Sequence, residues 1–522
     1  MPTPCSVSPP TRAPACSRSP CRHGSNSESH PAGGAPAPPA AAAWKEGSPM
    51  TRRPVRLSLA AALLVAALPA FGQQTTHRDY FEHYEGTKTC LACHMEEARS
   101  FFHSQHYQWQ GPTPDILNAG GKRYGKINVI NDFCTAVGPS WIGNVTNSRG
   151  EVISQGCSKC HAGLGLQPSP EESREQLENI DCLICHARGY NRTLVQTAEG
   201  GWQWRPVLWK NQEGLDTVAK RIGQPTRTTC LRCHAGSGGG PNFKRGDLEY
   251  AITENDRTFD VHMAKDGANL ECSACHGGSH HKMRGRGADL FGNEMPDRPA
   301  TCEDANCHGA APHAAEVLNL HARRVACQSC HIPTFAKADA TDMVRDWSTP
   351  HYREEQDKWS ATITMAKDVV PVYAWYNGTT TAQLPGVAVT TRGDGTVVMM
   401  APAGNRRDPR AKIYPFKLHR AKMPVLAGRR WLLPIAVEDF FASGHLDEAV
   451  RKAAREFYGV AEASYTWVPT VRYMGISHEV VPAAKALACL DCHGATSRLD
   501  WKGLGYHGDP VVTAMRAAHP GR

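Results

Sequence analysis

The distribution of apolar and polar positions divides the chain before any chemistry is considered. Residues 1–49, including PACSRSPCRHGSNSESHPAGGAPAPPAAAAW, show neither a two-residue nor a 3.6-residue period. A Pro/Ala/Ser/Gly segment of this kind cannot bury a core and is expected to be disordered. From Met50 the pattern changes to a basic TRRPVR, an apolar LSLAAALLVAAL (57–68) and a small-residue PAFG. That order predicts a secretory signal peptide over 50–72, cut near Gly72–Gln73. Translation is then expected to start at Met50, leaving 1–49 untranslated. The apolar run is shorter than the roughly 20 residues needed to cross a bilayer, and no later run is longer. Export without a membrane span in the mature protein is the expectation. Further on, VAVTT (387–391) and TVVMM (396–400) flank an Asp-Gly turn and predict a β-hairpin. VEDFFASGHLDEAVRKAAREFY (437–458) has helical spacing, with Phe440, Phe441, Leu446, Val450 and Ala454 on one face.

Charge changes this picture little. The full chain has a formal charge of +8, but residues 1–72 hold seven Lys/Arg against two Asp/Glu. The remaining balance is 51 to 48, or +3, which does not suggest a nucleic-acid partner.

The cysteines change it completely. CLACH (Cys90, Cys93, His94), CSKCH (Cys157, Cys160, His161), CLICH (Cys182, Cys185, His186) and CLRCH (Cys230, Cys233, His234) repeat one form. CSACH (Cys272, Cys275, His276), CQSCH (Cys327, Cys330, His331) and CLDCH (Cys489, Cys492, His493) continue it. CEDANCH (Cys302, Cys307, His308) is an eighth copy with four residues between its thiols. A single such motif could be half a zinc site or a redox disulfide. A histidine directly after the second cysteine in all eight copies instead indicates c-type haem attachment. Eight covalently bound haem c groups are therefore expected, each thiol pair forming thioethers and each motif histidine facing iron. With porphyrin supplying much of the interior, the expected fold class is mainly α, a multihaem cytochrome c with the haems as its core. Little β structure beyond the 387–400 hairpin is expected.

Iron needs a second axial ligand, and 15 histidines remain outside the motifs and residues 1–72. His106, His262, His281, His313, His321, His419 and His478 are the candidates, by their closeness to motifs or their local pattern. Seven motifs fall within 90–331 and the eighth begins at 489. The expected organisation is a haem-dense domain over 73–335, followed by a mixed hairpin and helical region, 336–522, that returns the last motif. Beyond residue 72 one cysteine, Cys134, belongs to none of them.

Beyond the motifs, the sequence resembles the octahaem tetrathionate reductase family of multihaem c-type cytochromes, relatives of hydroxylamine oxidoreductase and cytochrome c nitrite reductase. The resemblance is carried by GKINVINDFC (125–134), CHAGLG (160–165), NIDCLICH (179–186), GGGPNFKRGDLE (238–249) and DVHM (260–263). LNLHARRVACQSCHIP (318–333), RDWST (345–349), AWYNG (374–378), DPRAKIYPFKLH (408–419), ACLDCHG (488–494) and RLDWKGLGY (498–506) extend it over most of 80–510. It implies a mainly helical fold in which most haems are bis-histidine relays. It also implies a catalytic second haem, CSKCH here, with a lysine ligand: Lys244 is the best match and Lys159 the alternative. A neutral amine binds iron only where burial or the metal lowers its pKa. Three departures stand out: the long CEDANCH spacer, an apparent insertion over 138–156, and Asp342 where a lysine is expected.

The expected activity is periplasmic multielectron reduction of small oxidised sulfur or nitrogen compounds, with tetrathionate, nitrite and hydroxylamine as candidates. A donor cytochrome or quinol-linked redox protein would supply electrons. Lys244, Lys337 and Arg245 could offer positive charge to an anion. Asp132 and Asp247 could handle protons, and Cys134 and Asn131 could line the pocket. The rival reading is a pure electron-transfer module with no substrate, in which every iron has two protein ligands; an oxidase running electrons the other way is a third.

Overall fold

The computed structural model describes residues 77–133, 140–147, 149–154, 156–208, 213–286, 292–304 and 307–518. The proposed leader, the 1–49 segment and Cys134 lie outside these residues.

Short helices carry the motifs. Thr87–Leu91, Leu183–His186, Arg227–His234, Cys272–His276, Cys327–His331 and Cys489–Cys492 each contain part or all of one, while Cys157–Lys159 is a 3-10 turn. Helices this brief do not persist on propensity and depend on tertiary contacts. Two small antiparallel pairs interrupt them: β1 (Val145–Thr146) with β2 (Val152–Ser154), and β3 (Tyr190–Gln196) with β4 (Trp202–Leu208).

The second half of the chain corrects the fold class. It is not mainly α with a single hairpin: helix is 25% and strand 22%, and seven strands form one mixed sheet. These are β5 (Thr341–Arg353), β6 (Lys358–Ala366), β7 (Val372–Tyr376), β8 (Thr380–Ala382), β9 (Val397–Pro402), β10 (Lys412–Leu426) and β11 (Tyr465–Gly475). Their order is β6-β5-β10-β11-β9-β8, with β7 also on β10. Porphyrin as core filler says nothing about a region without motifs, and residues 336–488 bury their apolar surface as an ordinary sheet does. In β10 the inward set Ile413, Pro415, Lys417, His419, Ala421 and Met423 alternates, as a two-residue period requires. Lys417 and His419 take apolar-looking positions in that alternation, which obscured it.

The hairpin expected at 387–400 is half present. Its Asp-Gly turn forms, with Arg392 N–H donating to Thr396 O (2.9 Å). Residues 387–391 form no strand, however, while β9 pairs with β8 and, in parallel, with β11. The expected helix is two helices, Val437–Ser443 and Leu446–Tyr458, broken at Gly444, whose φ is 74°. Phe440, Val450 and Ala454 are buried there against Trp347, Met423 and Val425 of the sheet. Among the described residues no helix is long and apolar enough to cross a membrane.

Candidate haem and active site

The geometry around the motif histidines is repetitive. His94 faces His77 with ring centroids 5.9 Å apart, and His234 faces His106 at 6.3 Å. His308 faces His262 at 6.0 Å and His276 faces His478 at 6.1 Å. His331 faces His313 at 6.2 Å and His493 faces His321 at 6.3 Å. His186 interacts with His281. A metal–imidazole bond is about 2 Å, so two rings on opposite sides of one metal have centroids roughly 6 Å apart. Direct stacking would bring them closer.

The ring nitrogens support the same fit. Nδ1 of His186, His276 and His321 meets the carbonyl of Gly223 (2.9 Å), Arg284 (3.1 Å) and Val317 (2.8 Å). Nδ1 of His478 and His493 meets Asp247 (3.1 Å) and Asp509 (2.9 Å). A proton held at Nδ1 leaves Nε2 as the metal-binding atom. Among the described residues no three His, Cys, Asp or Glu side chains converge as a zinc site would. Histidine pairs flanked by thiol pairs fit haem c and do not fit zinc.

Six of the seven histidines expected as second ligands thus lie opposite a motif histidine. His419 does not. It is fully buried on β10, with Nδ1 2.6 Å from Asp132 and Nε2 3.3 Å from Asp342. His77, which was not among the expected ligands, takes the place opposite His94. It lies a few residues past the proposed cleavage point, in a segment with no periodic signal; its only cue is that motif one otherwise lacks an upstream histidine.

Motif two breaks the pattern. His161 is fully buried among Tyr107, Trp109 and Trp141, with ring centroids 4.9, 5.5 and 5.0 Å away. Its Nε2 lies 2.7 Å from the carbonyl of Tyr107. A carbonyl only accepts, so this nitrogen carries the proton here. Burial pushes the imidazole down to about 3, keeping it neutral. Trp141, from the apparent insertion, is held by a 2.7 Å bond from its indole N–H to Gly165 O. Arg192, which motif reading did not single out, pins the surrounding backbone. It donates to the carbonyls of Ser158 (3.0 Å), Lys159 (2.8 Å), His161 (2.6 Å) and Gly163 (2.8 Å), and to Asp181 (3.1 Å).

Three other expected site residues meet in a second buried cluster. Asn131, Asp132 and Lys244 are all buried, whereas Lys159 is exposed. Asp132 accepts from His419 and from Arg472 (2.6 Å), which lies opposite His419 in the β10–β11 register. Burial opposes ionisation of Asp132, but Arg472 and His419 outweigh it and hold the carboxyl well below the usual range. Asp342, at the position where a lysine is expected, is also held down against burial, by His419 and Arg345. The His419 ring lies between these two carboxylates. It stacks on Phe133 at 4.0 Å. Lys244, Arg345 and Lys417 surround the same phenyl ring at 5.7, 5.5 and 5.5 Å. Lys417 donates to the carbonyls of Phe243 (2.9 Å) and Lys244 (3.0 Å) and to Thr341 Oγ1 (2.6 Å). Burial brings its pKa down to about 7.

Asp247, Arg245 and Lys337 are placed elsewhere. Asp247 orients His478 and pairs with Arg245 (3.1 Å). Lys337 donates to Phe259 O and Glu479 O.

Thiols of different motifs lie near one another and set an order. Cys90 meets Cys182, Cys230 meets Cys272, and Cys302 meets Cys327. Cys185 interacts with Cys230, Cys275 with Cys307, and Cys330 with Cys492. Motifs one, three, four, five, six, seven and eight therefore follow one another in space. Motif two joins at motif four, where Cys160 meets Cys233.

Comparison with known proteins agrees with this geometry. Residues 342–496 match the family described as bacterial cytochrome c. An uncharacterised protein of Archaeoglobus fulgidus is 36% identical over 241 residues, covering 40% of this chain and 79% of that protein. The crystal structure of octahaem cytochrome c from Shewanella oneidensis superposes with a TM-score of 0.66 at 30% identity, over 84% of this chain and 96% of that one. With the motif repeat, the histidine pairs and a solved relative spanned almost end to end, the chain belongs to the octahaem cytochromes c, the family its sequence resembles.

Proposed function

We propose that the protein is a multihaem reductase of small oxidised sulfur or nitrogen compounds, working at motif two and loaded with haem at all eight motifs. One observation carries the reading: seven motif histidines face a second histidine, and His161 faces a carbonyl instead. When bound, haem at motif two supplies electrons and an iron centre at which an oxidised substrate is reduced. A relay haem gains nothing from losing its histidine pair, whereas a catalytic one needs a different coordination.

Lys244 is the amine we assign to that iron. It is buried where Lys159 is exposed, and its loop follows the helix whose Cys233 meets Cys160. The cations around Phe133 suit an anionic substrate, and Arg345 and Arg472 are kept in place by Asp342 and Asp132. Haem attachment takes place outside the cytoplasm, which supports a periplasmic location and a cytochrome or quinol-linked donor.

Intact mass should show eight haem increments. Electron paramagnetic resonance of the oxidised protein should show one signal unlike the bis-histidine set. Lys244→Met should alter that signal alone and abolish viologen-driven turnover of tetrathionate, nitrite or hydroxylamine. Eight equivalent bis-histidine signals, unchanged by Lys244→Met, would instead make the molecule a wire.

A further inference from the structure

The spatial order of the motifs has two ends, and their surfaces carry opposite charge. At the motif-one end, residues 78–99 hold five carboxylates against three Lys/Arg. The motif-eight end is basic. His321, in the helix Glu316–Ala322, faces His493. Trp501 stacks on His493 at 5.3 Å and meets Tyr506 at 5.4 Å. Arg406 then covers Tyr506 at 5.0 Å. Arg324 ties the 406–408 loop to the same helix, donating to Arg406 O (2.8 Å) and Asp408 O (2.6 Å). That loop and its continuation, residues 403–412, carry four Lys/Arg against one Asp.

Arg323, Arg406, Arg407 and Arg410 are all exposed. Only Arg410 approaches a carboxylate, Asp408 at 4.0 Å; the other three have no carboxylate partner among the described residues. Beside them the helix exposes Val317, Leu318 and Leu320. An apolar patch rimmed by unneutralised arginine, at the last member of an electron relay, has the composition of a transient redox interface.

We propose that this face docks an acidic electron-transfer protein, which delivers electrons at motif eight for passage towards motif four and on to motif two. Each encounter moves one electron: the partner is oxidised by one, and a ferric iron of this chain becomes ferrous. Direction rests on the reductase reading; the docking face does not. Charge complementarity selects the partner, because positive potential raises the encounter rate with acidic proteins and repels basic ones.

The test uses the full holoprotein without substrate and follows haem reduction by stopped-flow absorbance. The donors are reduced plant-type ferredoxin, which is acidic, and reduced methyl viologen, which is small and cationic. R406E/R407E should slow reduction by ferredoxin about tenfold or more at low salt, flatten its salt dependence and leave the viologen rate unchanged. E82K/E85K, at the other end, should leave the ferredoxin rate intact. An unchanged ferredoxin rate in R406E/R407E overturns the proposal, as does a loss confined to E82K/E85K. Loss of binding to anionic phospholipid vesicles with no change in ferredoxin rate assigns the face to lipid and overturns it as well. Because no substrate is present, failure of the reductase reading cannot produce any of these results.

Discussion

Lys417 is an ammonium group inside a sheet, surrounded by two carbonyls and a hydroxyl in place of a carboxylate. Its folded pKa of about 7 lies below the ~10.4 of an unfolded lysine. Between those values the unfolded chain holds a proton that the folded chain lacks, so stability rises with pH across that window. The slope from this residue is at most about 1.4 kcal/mol per pH unit, and it vanishes below about pH 7. Urea unfolding at pH 7.5 and 9.5 should show this gain in the wild type and lose it in Lys417→Met; equal gains in both would refute the assignment. At this scale the motif cysteines and histidines were legible because porphyrin attachment demands adjacency in sequence. His161 was not legible, because its motif is regular and only Tyr107, 54 positions away, reveals what its Nε2 does. His419 shows a related limit: a histidine facing two carboxylates and one facing iron have the same local sequence.

At the level of elements, the break between the helices at 437–443 and 446–458 depends on one residue. Gly444 adopts φ 74°, and a Cβ there would lie 2.4 Å from the Trp359 indole on β6. Gly444→Val combines left-handed strain with a clash in packed surroundings, each costing about 1–3 kcal/mol. A lowered thermal midpoint with unaltered haem spectra is expected; an unchanged midpoint would mean the indole can move aside freely. The sheet behind these helices was the main element that sequence reading missed. Its strands could be read by period two only by counting Lys417, His419 and Arg472 as inward residues, since all three are buried. The 437–458 pattern was legible as helical because its apolar stripe is unbroken, and the glycine that divides it leaves the stripe in phase.

Across the whole molecule, motif four is a junction: it lies beside motifs three and five, and its Cys233 meets Cys160 of motif two. His106 lies opposite its histidine. His106→Met gives that site the His/Met pair, which raises haem potential. Each ~60 mV of rise opposes onward transfer tenfold. Turnover at motif two should fall while donor-driven reduction of the other haems persists, and equal turnover in both proteins would remove motif four from the route. The Asp132 cluster also constrains how the protein matures. Asp132 is completed by His419 and Arg472, 287 and 340 positions downstream. A chain emerging from its amino terminus exposes seven of eight attachment motifs before either partner exists. Seven motifs can therefore be presented for attachment well before the Asp132 cluster closes. On the reductase reading proposed above this order is a safeguard, because the cluster assigned to the substrate is completed only when β11 supplies Arg472.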